Sequence, residues 1–145
     1  MSVIIREFQL SDADPVSQME QHIFSCPWSK KAFEELLTRD YCLYLVAENA
    51  GRVIGFAGMT ISCGEADIDK VMVEEASRGR HVAERLLEEL FARGEARGVE
   101  AYTLEVRVGN EPAIGLYRKL GFESAGVRPG FYEKPTEDAL IMWKR

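Results

Sequence analysis

The sequence predicts an α/β (α+β) fold of three layers, a mixed central sheet of about seven strands with helices on both faces. Three observations carry that expectation. Two β-rich runs, 41–48 and 53–61, flank the turn Asn49-Ala50-Gly51-Arg52 and read as a hairpin. A long helical period lies between two further strand runs, 66–73 and 99–108, as a crossover connection requires. Strand and helix signals otherwise alternate along the chain without linker, repeat or low-complexity tract, so residues 1–145 are expected to form one domain.

Taken in order, Val3-Ile4-Ile5-Arg6-Glu7-Phe8 has strand composition. Ser11 offers an N-cap with an acidic first turn behind it, and the helix so started should run to Cys26-Pro27, where the residue before proline leaves helical geometry. Ser29 is a second N-cap, for a short helix that buries Phe33, Leu36 and Leu37 and ends near Thr38. After the hairpin, Ser62-Cys63-Gly64-Glu65 turns the chain into strand 66–73. Gly55 and Gly58 are explained by a helix packed closely on the second hairpin strand. In the crossover helix, Val82, Ala83, Leu86, Leu87, Leu90 and Phe91 recur at three- and four-residue spacings while Glu84, Arg85, Glu88, Glu89 and Arg93 face away. Gly98 stops it. Asn110 caps the next helix, Pro112 sits in its first turn, and Gly121 ends it. The last strands are 122–127 and 139–143, joined by what reads as a long exposed loop over 128–135.

Composition narrows the function. A net charge of −6 argues against a nonspecific grip on nucleic acid and favours a cationic partner such as an amine or a basic peptide tail. No apolar run approaches the roughly 20 residues that span a bilayer, and residues 1–10 alternate polar and apolar, so neither a membrane partner nor export is expected. Three cysteines, Cys26, Cys42 and Cys63, show no CxxC spacing and read as reduced thiols of a cytoplasmic protein. His22 and Cys26 stand four apart, but no third or fourth ligand is near in sequence, so no metal is expected.

The turn Ser77-Arg78-Gly79-Arg80-His81-Val82-Ala83 brings permissive residues and two arginines to a helix N-terminus, where free N–H groups, dipole and cations converge on an anion. Phosphate is the natural guest. On the strand 99–108, Thr103, Glu105 and Arg107 share the face opposite the apolar side chains. Glu105 is therefore either part of a solvated sheet face or a general base in a covered central strand. Tyr117 lies seven residues after Asn110, two turns on, so both project from one side of their helix. Tyr117 is then a packing residue or a proton donor, Asn110 is fully explained as an N-cap, and Trp28 reads as a core anchor.

The pattern Arg78-x-x-His81-x-Ala83, followed by Asn110-x-x-Ala113-x-x-Leu116-Tyr117-x-x-x-Gly121-Phe122, resembles the acetyl-CoA motifs of the GNAT acetyltransferase superfamily. Leu104-Glu105-Val106-Arg107 narrows the resemblance to RimI-like protein N-terminal acetyltransferases, and it extends over essentially the whole chain, including Pro27-Trp28-Ser29 and Phe131-Tyr132. His81 departs from it, standing where the usual Arg/Gln-x-x-Gly-x-Gly/Ala pattern has its first glycine. The resemblance implies a GNAT-like fold, with acetyl-CoA as co-substrate. Gly79, Arg80, His81, Val82, Ala83 and Glu84 would hold its pyrophosphate, with Asn110 and the backbone of Val71, Met72 and Val73 along its arm. Glu105 would be the base, Tyr117 the acid, and Trp28 and Tyr132 walls of an acceptor groove. The implied reaction is direct acetyl transfer to the N-terminal α-amino group of a protein, an N-terminal alanine of a small-subunit ribosomal protein. A small-amine acetyltransferase and a non-catalytic acyl-CoA-binding module are the competing readings.

Overall fold

Seven strands form one sheet in the computed structural model, which describes residues 2–145. They are β1 (Val3–Glu7), β2 (Cys42–Asn49), β3 (Arg52–Ser62), β4 (Glu65–Val73), β5 (Ala101–Arg107), β6 (Glu123–Tyr132) and β7 (Glu137–Lys144), in the spatial order β1-β2-β3-β4-β5-β7-β6. Only β4 and β5 pair in parallel, and they are joined by helix α3 (Val82–Ala96). The other helices are α1 (Ala13–Ile23), α2 (Lys30–Glu35) and α4 (Glu111–Lys119).

Period-two alternation sorts the sheet into two cores. Leu43, Leu45 and Ala47 of β2 face one side with Ile54 and Ala57 of β3, and Val82, Leu86, Leu87 and Leu90 of α3 close over them together with Ile114 and Tyr117 of α4. Tyr44, Val46, Phe56 and Met72 face the other side, under Val16 of α1 and Phe33 of α2. The three leucines of α3 are fully buried, a gain of about 1.5–3 kcal/mol each.

Both site-bearing helices end in the same way. Gly98, at φ 83°, follows α3, with Val99 N–H on the Gly94 carbonyl and Gly98 N–H on Glu95. Gly121, at φ 100°, follows α4, with Phe122 N–H on Tyr117 and Gly121 N–H on Arg118. Each is a Schellman ending, and the Phe122 ring packs edge-on to Tyr117 at 5.8 Å. The spacing Tyr117-x-x-x-Gly121-Phe122 thus has a local cause: it closes the helix on the tyrosine's own carbonyl.

Several expectations need correction. Helix α1 starts from Asp12 rather than Ser11, because Asp12 also closes a capping box with Gln9 over the short 3-10 turn Leu10–Asp12. It ends at Ile23, so Cys26 is not on one helix face with His22. Gly55 does lie under α3, where a Cβ would meet Leu86 and Val82 at 3.1 and 3.2 Å, but Gly58 makes room for the Tyr44 ring of the neighbouring strand. Residues 128–132 are strand, not loop. β6 is an edge strand, where Pro129 removes no needed ladder bond, so the hairpin continues to a short turn at 133–136.

Candidate active site

The parallel pairing of β4 with β5 covers only Glu65↔Ala101, Ala66↔Tyr102 and Asp67↔Thr103. Beyond it the strands part, and a cavity of about 620 Å³ opens between Ile68–Val71 of β4 and Leu104–Arg107 of β5. β4 stays paired to β3 on its far side, so alternate backbone groups of β4 are aimed into this wedge. A bulge lets it happen. Gly58 pairs with Lys70 and Met59 with Ile68, leaving Asp69 as the extra residue. Asp69 accepts hydrogen bonds from Tyr44 Oη and Thr60 Oγ1, both at 2.7 Å.

Glu105 and Tyr117 line the same cavity from different elements, with Asn110 and Tyr132. The Glu105 side chain is 23% exposed, and Arg128 Nε stands 2.9 Å from its Oε2 as an ion pair without a directed hydrogen bond. Burial, with Asp69 and Glu105 as negative neighbours and against the opposing Arg128, raises the pKa of Asp67 beside them. Tyr117 is buried, and desolvation together with the nearby Tyr132 pushes its phenol up to about 12. It therefore keeps its proton. Asn110 Oδ1 accepts from Ala113 N–H at 3.3 Å and anchors the start of α4. Of the β4 residues, Val71 lines the cavity while the side chains of Met72 and Val73 are buried in the two cores.

At the mouth of α3 the chain passes through Gly79 at φ 79° and His81 at φ 61°, ψ 24°. His81 is the N-cap residue but its side chain caps nothing, and the first intrahelical bond is Arg85 N–H to the His81 carbonyl. The amides of Val82, Ala83 and Glu84 precede that bond, so the turn presents the N–H donors and dipole that a phosphate takes. Glu84 is drawn aside to Lys119 of α4 at 2.6 Å. The cavity is lined by Ile68–Val71 of β4 and Leu104–Arg107 of β5, and the mouth of α3, whose amides lack a side-chain cap, lies outside that lining.

Trp28 does not line the cavity. Its ring packs against Phe33 at 5.3 Å and lies 4.1 Å from Lys70 Nζ, which also sits over Phe24 and pairs with the fully buried Glu20. Phe24 does line it, as does Tyr132. Sequence reasoning missed Lys70, Arg107, Arg128 and the Asp69 bulge. Each depends on a partner distant in the sequence, Glu20 for Lys70, Glu137 for Arg107, Glu105 for Arg128 and Tyr44 for Asp69, apart from the charge pattern of β5. Among the described residues no group of three or more His, Cys, Asp or Glu is arranged to hold a metal.

The chain resembles known proteins over nearly its whole length. The chain is 37% identical over 140 residues to a putative [ribosomal protein bS18]-alanine N-acetyltransferase of Bacillus subtilis, covering 96% of this chain and 93% of that one. It is 33% identical over 142 residues to the [ribosomal protein bS18]-alanine N-acetyltransferase of Escherichia coli, covering 95% and 94%. The crystal structure of the ribosomal-protein-S18-alanine N-acetyltransferase from Escherichia coli superposes with a TM-score of 0.91 over 99% of this chain and 93% of that one, at 30% identity. Residues 13–122 match the acetyltransferase (GNAT) family, and the chain belongs to it.

Proposed function

We propose that this chain transfers the acetyl group of acetyl-CoA to the N-terminal α-amino group of a protein, with an alanine-starting ribosomal protein as acceptor. The observation that carries the reading is the meeting of Glu105 and Tyr117 in one cavity, where β4 and β5 part. The acceptor class is supported by the relatives, two of which are named for ribosomal-protein alanine.

Acetyl-CoA supplies the acyl group as a thioester, held by the backbone of Val71, Met72 and Val73, by Asn110, and by the turn from Gly79 to Glu84. Glu105 takes the proton that the acceptor must lose before its amine can attack, directly or through a water. An α-amino group has an ordinary pKa near 8, so that demand is light. A main-chain N–H of β4 donates to the acyl oxygen as negative charge gathers there. Tyr117 Oη holds a proton for the departing sulfur, and the burial that lifts the phenol also lifts a thiolate placed beside it. Tyr132 and Phe24, which line the cavity, bound the acceptor side. Attack is direct, with no acyl-enzyme.

Steady-state kinetics on an alanine-starting basic peptide tests the assignment. Glu105→Gln and Tyr117→Phe should each lower kcat about 10²-fold or more. Near-wild-type turnover in both would overturn it, and faster turnover on free amines than on the peptide would move the acceptor to the small-amine class.

A further inference from the structure

Arg107 touches three separate segments around the acceptor side of the cavity. Its Nη1 donates to the Pro135 carbonyl at 2.9 Å and its Nη2 to the Glu133 carbonyl at 2.9 Å, so one guanidinium spans the β6–β7 turn. Nη1 also pairs with Glu137 Oε1 at 3.3 Å, while Glu137 Oε2 accepts the Gly109 N–H at 2.7 Å just ahead of Asn110. Ser25, from the loop after α1, donates its hydroxyl to the same Glu133 carbonyl at 3.2 Å. The guanidinium carbon lies 4.5 Å from the Tyr132 ring centroid.

β5 is a central strand, whereas β6 is exposed along nearly its whole length. The turn at 133–136 therefore has little packing of its own. We propose that Arg107 is a positioning residue that fastens this turn across the acceptor groove and fixes the face of Tyr132 that an incoming peptide N-terminus meets. The planar fork matters more than the charge: a lysine ammonium is a point charge on a flexible stem and does not hold two carbonyls in the fixed geometry of the guanidinium fork. The role at Tyr132 rests on the protein-acceptor reading above. The anchoring of the turn does not.

The test pairs kinetics with hydrogen exchange on the full chain, using an alanine-starting basic peptide and comparing wild type, Arg107→Gln and Arg107→Lys. In Arg107→Gln the peptide KM should rise about tenfold or more and by more than kcat falls, while the acetyl-CoA KM stays within about twofold. Amides over 130–137 should exchange at least about tenfold faster, with α3 and β2 as protected as in wild type. Arg107→Lys should recover little of either effect. Unchanged exchange over 130–137 overturns the anchoring. Faster exchange with an unchanged peptide KM overturns the role in acceptor binding. If wild type acetylates no peptide but exchange still quickens, the acceptor reading and the role at Tyr132 fail while the anchor stands.

Discussion

His81 opens α3 with φ 61° and ψ 24°, a left-handed conformation that costs a non-glycine residue roughly 1–2 kcal/mol. Glycine removes that strain but loosens the unfolded chain, an opposing effect of about 0.4–1 kcal/mol. His81→Gly should therefore be more stable by roughly 0–1.6 kcal/mol. The unfolding entropy of a chain this size, about 2.1 cal/mol/K per residue, converts that to a Tm rise of about 0–5 °C. His81→Val, stiff at Cβ and unsuited to positive φ, should melt several degrees lower. Because the imidazole makes no capping bond, the amides of Val82 to Glu84 stay in place and CoA affinity should hold within about threefold. Thermal melts with and without CoA, with calorimetric titration of CoA, read both quantities. A Tm more than about 3 °C below wild type would refute the strain argument, and a Kd for CoA about tenfold weaker would make the imidazole itself a ligand contact.

The sheet, the cavity and the start of α1 offer further checks. A Cβ at Gly58 would fall 1.9 Å from Tyr44 Cδ1, and Tyr44 is held by stacking on Phe56 and by Asp69, so Gly58→Ala should lose about 1–3 kcal/mol or more, read as a Tm fall of several degrees. With its phenol at about 12, Tyr117 remains protonated through mildly alkaline pH, so kcat should show no alkaline limb below about pH 10; a limb below about pH 10 that vanishes in Tyr117→Phe would contradict the raised pKa while leaving Tyr117 as the proton donor. Burial alone would raise the Asp12 carboxyl, but two bonds from Arg6 and one from the Gln9 amide outweigh it and hold the pKa below its ordinary value. Its stabilisation is then complete above the unfolded value near 3.9 and is lost as pH falls through and below it. Asp12→Asn should cost about 1–3 kcal/mol at pH 7 and flatten the dependence of Tm on pH below about 4; an unchanged slope would mean that this pair does not drive acid unfolding.

The elements were legible wherever one face of a strand or helix is buried, because alternation in β2 and β5 and the leucine period of α3 record that burial directly. Caps were legible too. Ser29, Asn110, Gly98 and Gly121 act at their own positions, so local chemistry is enough to place them. The motif residues Glu105, Asn110 and Tyr117 converge on one cavity. What escaped was set by distant partners. Pro129 and Gly130 read as part of a long loop because nothing local says that β6 lies at the sheet edge. The extra residue at Asp69, which helps β4 leave β5, has no signature beyond a broken alternation in 66–73. Gly58 answers to Tyr44, 14 residues before it on the adjacent strand, rather than to any helix.

Intact-mass spectrometry of ribosomal proteins incubated with this protein and acetyl-CoA, with fragmentation to locate the modified nitrogen, tests the central claim most directly. The account predicts one added acetyl group on the α-amino nitrogen of an alanine-starting protein, lost with Glu105→Gln. Acetylation confined to lysine side chains or to free amines, or an α-amino product undiminished in Glu105→Gln, would contradict it.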